Sequence, residues 1–339
     1  MPAAGRAPTI PSTVPATPTP QQARFRRVLC AFGLYTLAVI LWGAYVRSSL
    51  SGDGCGAHWP LCNGQVLPVE PQLKTVVEFT HRVTSGLCWV GSFALWWWSR
   101  RVFPKGHRAR LGALLVFVFM CSEALVGAGL VLLQLVATNP SGARAYWMGA
   151  HLLNTFLLLG SLALGWFWAG GGGSLRAARR SASGKLLLGG VAAFLLLGMS
   201  GAIVALGDTL YPAQSLAAGI AHDLSASAPL FVRLRVVHPV LALALGVYLM
   251  TVASAVATRT GDPSVRRLAW TIGGLYTLQI AAGFANMMLL APIWLQLVHL
   301  AIADAIWVSL VLFVAYSSAA SATEARVSDA EAAALPRPA

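Results

Sequence analysis

The sequence predicts an all-α integral membrane protein. Eight transmembrane helices are expected, as two pseudo-symmetric four-helix bundles in parallel repeat. Three observations carry this. Hydrophobic residues make up 57% of the chain and charged residues 10%, with mean hydropathy +0.69. Eight apolar stretches come close to the roughly 20 residues that span a bilayer. Motifs in the first four stretches return, in the same order, in the last four.

In chain order, residues 1–25 are rich in Pro, Thr and Ala and bury too little to fold, so a disordered cytoplasmic N-terminus is expected. They lack the apolar core of a signal peptide, so the first helix is retained. The stretches at about 28–46, 74–98, 111–135 and 147–169 make the N-terminal bundle, 26–169. All read as helices, because a lone strand leaves its backbone unsatisfied in lipid. The run Gly170–Gly173 opens a cytoplasmic linker over 170–185, the seam between the halves. Stretches at 186–206, 232–256, 269–290 and 295–318 make the C-terminal bundle, 186–318. The remaining 319–339, Ala mixed with Glu, Asp and Arg, is expected to be a mobile cytoplasmic tail.

Most of the 24 basic residues lie in the N-terminus, the loops at 99–110, 170–185 and 257–268, and the tail. Positive charge marks the cytoplasmic side, so both termini are placed there, in a cell membrane crossed many times. The net charge of +13 is then mostly a topology signal. No soluble basic face exists to bind nucleic acid.

The repeat is visible in four places. Gly43-Ala44-Tyr45-Val46 matches Gly201-Ala202-Ile203-Val204. Glu123-Ala124-Leu125-Val126-Gly127 resembles Gln279-Ile280-Ala281-Ala282-Gly283. His81 pairs with His238, and His151-Leu152 with His299-Leu300. Each half has an even number of helices and starts on the same side, so the repeat axis runs along the membrane normal.

Those four histidines lie in the second, fourth, sixth and eighth stretches, each near the outer end. Ionisable residues inside a bilayer are costly and tend to be functional. One could merely hydrogen-bond a neighbouring helix; four at repeat-related positions argue for two sites. Zinc wants three or four ligands, and each half offers two histidines. Two histidines facing across a bundle suit a six-coordinate haem iron. His58, His107 and His222 fall in loops, the last two as surface residues.

The first outer loop carries Cys55 and Cys62 among glycines and Pro60, on the oxidising side of the membrane. They form either a disulfide or a reactive dithiol pair. Cys30, Cys88 and Cys121 lie within helices and read as inert buried thiols. Next comes Glu78-Phe79-Thr80-His81-Arg82. Glu78 and His81 are i and i+3, so they share a face. Glu78 could take a proton beside an iron site, or pair with Arg82 or Lys74. Its counterpart in the second half is Arg235, so one site has an acid beside its histidine and the other a base. The first looks built for chemistry and the second for holding a haem and its propionates. Glu123 and Asp304 read as polar packing or proton relay. Pro239 either tilts the His238 ring or marks the first turn of its helix.

The stretch from Val46 to Asn63, the Glu78–Arg82 motif, His151-Leu152-Leu153-Asn154-Thr155 and His299 together resemble the haem A synthase family, over about residues 25–318. The resemblance implies oxidation of haem O to haem A. The methyl at porphyrin carbon 8 is hydroxylated twice, and the gem-diol loses water to give a formyl group for terminal oxidases. It implies a haem b cofactor held by His238 and His299, with His81 and His151 flanking the substrate iron. It makes Glu78 catalytic and joins Cys55 to Cys62. Haem O synthase and an electron-transfer partner are the expected protein contacts, and a homo-oligomer is compatible with the family. Some relatives also have a cysteine pair in the third outer loop, and 207–231 has none. The rival functions are a dihaem cytochrome passing electrons from quinol, which gives no reason for Glu78 or the cysteine loop, and a haem transporter or chaperone.

Overall fold

The computed structural model describes residues 19–176, 178, 181–228 and 230–334. The expected disorder of residues 1–18 lies outside the described residues. Among the described residues the structure is helical, with no strand longer than an isolated bridge between Cys62 and Gln65.

Local sequence starts most of the helices. Thr19 and Gln22 form a capping box and Pro20 occupies the first turn of α1, Pro20–Ser48. After α2, Leu73–Val102, the His107 ring accepts the Ala109 N–H at 3.1 Å and opens α3, Arg108–Leu132. Ser141, Ser181 and Ser215 cap α4 (Gly142–Ala169), α5 (Ala182–Leu210) and the short α6 (Leu216–Asp223). Then come α7, Leu230–Thr260, and α8, Pro263–Met288, capped by Asp262 with proline in its first turn. The last is α9, Ile293–Ala334.

Seven of these, α1, α3, α4, α5, α7, α8 and α9, are long and apolar enough to cross a membrane. Eight spans were expected. The eighth stretch is α2, which is equally long at 30 residues. It carries Lys74, Glu78, Arg82, Arg100 and Arg101, and these charges dilute its hydropathy.

Burial sorts the helices. The most apolar window of α4 is 67% buried and that of α9 44%, against 17% for α1, α5 and α8. The centre is therefore α4 against α9, the last helix of each half. Trp307 donates its indole N–H to the Phe156 carbonyl at 2.5 Å, and its ring lies 5.4 Å from Phe156 and 5.9 Å from Phe194. Within the first half, Gly112 and Gly165 let the α3 and α4 backbones touch: a Cβ on Gly112 would sit 2.6 Å from the Gly165 Cα. The outer faces of the peripheral helices carry exposed apolar side chains such as Leu34, Leu87, Leu125, Trp270 and Phe284, as lipid contact requires.

Several details differ from expectation. The first helix starts at Pro20, inside the segment expected to be disordered. The tail segment continues α9 to Ala334, because its alanines are strong helix formers. Linker residues after Gly170 fold back on α9: Ser318 accepts the Ala178 N–H and donates to the Ser174 carbonyl, both at 3.2 Å. The loop between α5 and α7 contains α6, which places His222 in a helical last turn. Pro239 lies inside α7, not in its first turn. Cys88 is buried, but Cys30 is exposed on the α1 surface, so it is not a core thiol.

Candidate functional site

The loop between α1 and α2 folds onto the start of α2. Gly54 packs so closely on the Lys74–Thr75 backbone that no side chain fits there. Its carbonyl accepts the Thr75 hydroxyl at 2.8 Å. Cys55 and Cys62 are joined in a disulfide, with Cα atoms 4.4 Å apart. Just below, Glu78 is 3% exposed. Its Oε2 accepts the Cys55 N–H at 2.8 Å, and its Oε1 pairs with Arg82 at 2.5 Å. Arg82 also donates to the carbonyls of His58 and Leu61, both at 2.6 Å. One acid and one base on successive turns of α2 thus hold both flanks of the disulfide loop. The Arg82 alternative for Glu78 is present, and Lys74 instead faces Asp53 at 3.6 Å.

His81, one turn further in, stands against α1 at Gly43, where a Cβ would lie 2.8 Å from the ring Cε1. The same relation recurs in the second half. A Cβ on Gly201 of α5 would sit 3.1 Å from His238 Cε1, and one on Gly283 of α8 would sit 3.1 Å from His299 Cε1. In the first half Gly127, the counterpart of Gly283, has open space. There the contact to His151 is made by Glu123, whose Oε1 lies 3.2 Å from Nδ1. The four imidazoles are half-buried. His81 is within electrostatic reach of His151, and His299 of His238.

Sequence reasoning named these histidines but not the groups that orient them. Ser200 lies 2.8 Å from His238 Nδ1. Gln279 places its amide nitrogen 3.1 Å from His299 Nε2. Buried Nδ1 atoms of His81, His151 and His299 have no hydrogen-bond partner among the described residues; that of His151 faces Glu123 at ion-pair distance. The signal for Glu123 and Gln279 was the repeat itself, which aligns them. Arg235 is paired with Asp208 at 2.8 Å and Asp223 at 3.1 Å, and donates to the Tyr211 carbonyl at 2.8 Å. It pins the loop between α5 and α7 as Arg82 pins the loop between α1 and α2. Asp304 is fully buried on α9, and neither of its carboxyl oxygens has a partner among the described residues. Among the described residues no group of three or more His, Cys, Asp or Glu side chains is placed to hold a bare metal ion.

Paired, half-buried imidazoles packed against glycines of a facing helix suit a planar group held between helices. Their ring nitrogens include orphaned ones, and neutral imidazole is the ligand haem iron takes. The residues therefore fit a haem in each half.

Residues 26–311 match the family model described as cytochrome oxidase assembly protein, COX15-CtaA. Two proteins from different strains of Thermus thermophilus, both named protoheme IX farnesyltransferase, are 47% and 46% identical over 300 residues; these cover 88% of this chain and 49% of each relative. A heme A synthase of Symbiobacterium thermophilum is 41% identical over 141 residues, covering 41% of this chain and 44% of that protein. The chain spans about half the length of the curated relatives it matches.

Proposed function

The chain belongs to the COX15-CtaA family of cytochrome oxidase assembly proteins, and on that footing we propose that it is a haem A synthase, an oxidoreductase that converts the C8 methyl of haem O to a formyl group by successive hydroxylations. The observation that carries the reading is the asymmetry of the two histidine pairs. Over the first lies a disulfide loop anchored on a buried acid; beside the second lies a base already committed to two aspartates.

In this reading His81 and His151 hold the substrate iron, and His238 and His299 hold a resident haem b. A bound haem b would supply one-electron redox chemistry. The protein's own groups do the rest. Gly43 and Gly201 let the His81 and His238 rings lie directly against α1 and α5. The Cys55–Cys62 loop caps the first site and excludes water from the methyl being oxidised. Glu78 holds negative charge, or takes a proton, one helical turn from His81. Ser200 fixes the His238 ring through Nδ1 and leaves Nε2 for the iron.

The architecture that goes with this function is two four-helix bundles, with α2 as the eighth span and both termini cytoplasmic. The basic loops support that orientation. Support for a working contact comes from the Thermus relatives, which carry the name protoheme IX farnesyltransferase. A farnesylated haem is the substrate proposed here, so the enzyme that makes it is the natural neighbour. An electron-transfer partner is required as well.

Cells making this chain together with a source of haem O test the function directly. Chromatography of extracted haems should show haem A. Unchanged haem O would reassign the chain to carrying electrons or haem.

A further inference from the structure

Glu123 is the feature the reading above leaves unused. It stands on α3 with both oxygens engaged. Oε1 accepts the Thr155 hydroxyl at 2.6 Å and lies 3.2 Å from His151 Nδ1; Oε2 accepts the Asn154 amide at 2.5 Å. Asn154 is itself fixed, accepting from Ser122 at 2.6 Å and donating to the Phe119 carbonyl at 2.9 Å. The carboxylate is therefore preorganised by α4 side chains one helical turn from His151. Among the described residues no other carboxylate pairs with any of the four histidines. At the repeat-related position stands Gln279, a neutral amide, and it meets His299 through the other ring nitrogen.

We infer that Glu123 is a positioning residue that fixes the His151 ring through Nδ1, directs Nε2 at the substrate iron and strengthens its donation, so that the irons of the two halves sit at different potentials. The physical ground is general. A ligating imidazole that gives its second N–H to a carboxylate is a stronger base and a stronger donor than one facing a hydroxyl or an amide. Stronger donation favours the ferric iron and lowers its potential. The first site then holds an iron biased toward the oxidised state, and the second one of higher potential. The two sites thus differ in what faces a histidine Nδ1, a carboxylate at His151 and the Ser200 hydroxyl at His238. This inference rests on His151 being a ligand of the first site.

The test uses the full chain in detergent with ferric protohaem as the added probe, and reads optical redox titration and electron paramagnetic resonance. The wild type should bind added haem, and His151→Ala should lose that binding. Failure of either removes the ligand assignment and this inference with it. Glu123→Gln should bind added haem with unchanged stoichiometry, while the potential of the first-site haem rises and its ferric g-values shift. Thr155→Val takes a competing donor from Glu123 and leaves the acid. It should therefore move the potential the opposite way, and it decides the matter alone if Glu123→Gln fails to accumulate. A merely structural Glu123 predicts altered stability with no change in potential. Unchanged potential and g-values in variants that bind the probe overturn the inference while leaving the ligand assignment standing.

Discussion

At the scale of single residues, Glu78 is doubly committed, to the Cys55 N–H and to Arg82. A substitution must therefore separate its chemistry from its architecture. Glu78→Gln keeps the shape and an acceptor for Cys55 but removes the charge. If the carboxylate takes a proton or steadies positive charge during oxidation, haem A formation should fall by roughly 10²–10⁴-fold, while the b-type spectrum of the second half stays intact. Arg82→Ala breaks the same ion pair and spares the acid, so its yield should fall far less. Chromatographic haem profiles from cells making each variant compare the two. Equal yields from both variants would return Glu78 to the role of a salt-bridge partner. The spacing of Glu78, His81 and Arg82 was legible in the sequence because i+3 and i+4 neighbours share a face. What Arg82 does was not, since its acceptors His58 and Leu61 contribute backbone carbonyls that carry no side-chain signature. Glu123 was legible only as the repeat partner of Gln279; its contact with His151 needs the packing of α3 on α4.

At the scale of elements, the loop between α1 and α2 has more than one anchor. The disulfide closes it on itself, and Thr75, Glu78 and Arg82 tie it to α2. Thiol labelling of the unreduced, denatured protein should mark Cys30, Cys88 and Cys121 and spare Cys55 and Cys62. Labelling of all five would rule the bridge out. Closing so short a loop restricts the unfolded chain by about 2.5 kcal/mol. Cys55→Ser should lose about that much stability, read by denaturant unfolding in detergent. It should still make haem A at a higher rate than Glu78→Gln, because the α2 anchors remain. The long elements were readable from apolar length; their Ser and Asp caps emerged only with the structure. Helix α2 was readable only by length, since its charges serve the loop and the ends and lower its hydropathy. The short α6 was missed because eight residues inside a polar-flanked loop give no period to read.

At the scale of the whole molecule, the helices before and after the glycine run that follows α4 are joined by contacts between residues far apart in the chain. On one side of the membrane Ser318 of α9 holds the linker. In the middle Trp307 locks onto Phe156. On the other side Arg47, at the end of α1, donates to the Ala205 carbonyl at 2.7 Å, to the Thr209 hydroxyl at 2.7 Å and to Gln296 Oε1 at 2.9 Å. One guanidinium of the first half thus satisfies two helices of the second, and Ala205 occupies the Arg47 position of the repeat. The internal resemblances in the sequence pointed to a repeat but not to this staple, because Ala205 stands where a second arginine would be expected. The expected consequence is specific. A planar fork with five donors is needed to reach three acceptors, and a lysine ammonium is a poor substitute. Arg47→Lys should therefore lose much of what Arg47→Met loses. Hydrogen bonds to a charged donor are each worth about 1.5–3 kcal/mol, so Arg47→Met should lower stability by at least about 2 kcal/mol, read as an earlier unfolding transition in detergent. Arg47 touches none of the four histidines, so the b-type spectrum of the folded fraction should stay unchanged. A lysine variant as stable as the wild type would show that the halves are held by the α4–α9 packing alone, with Arg47 a bystander at their edge.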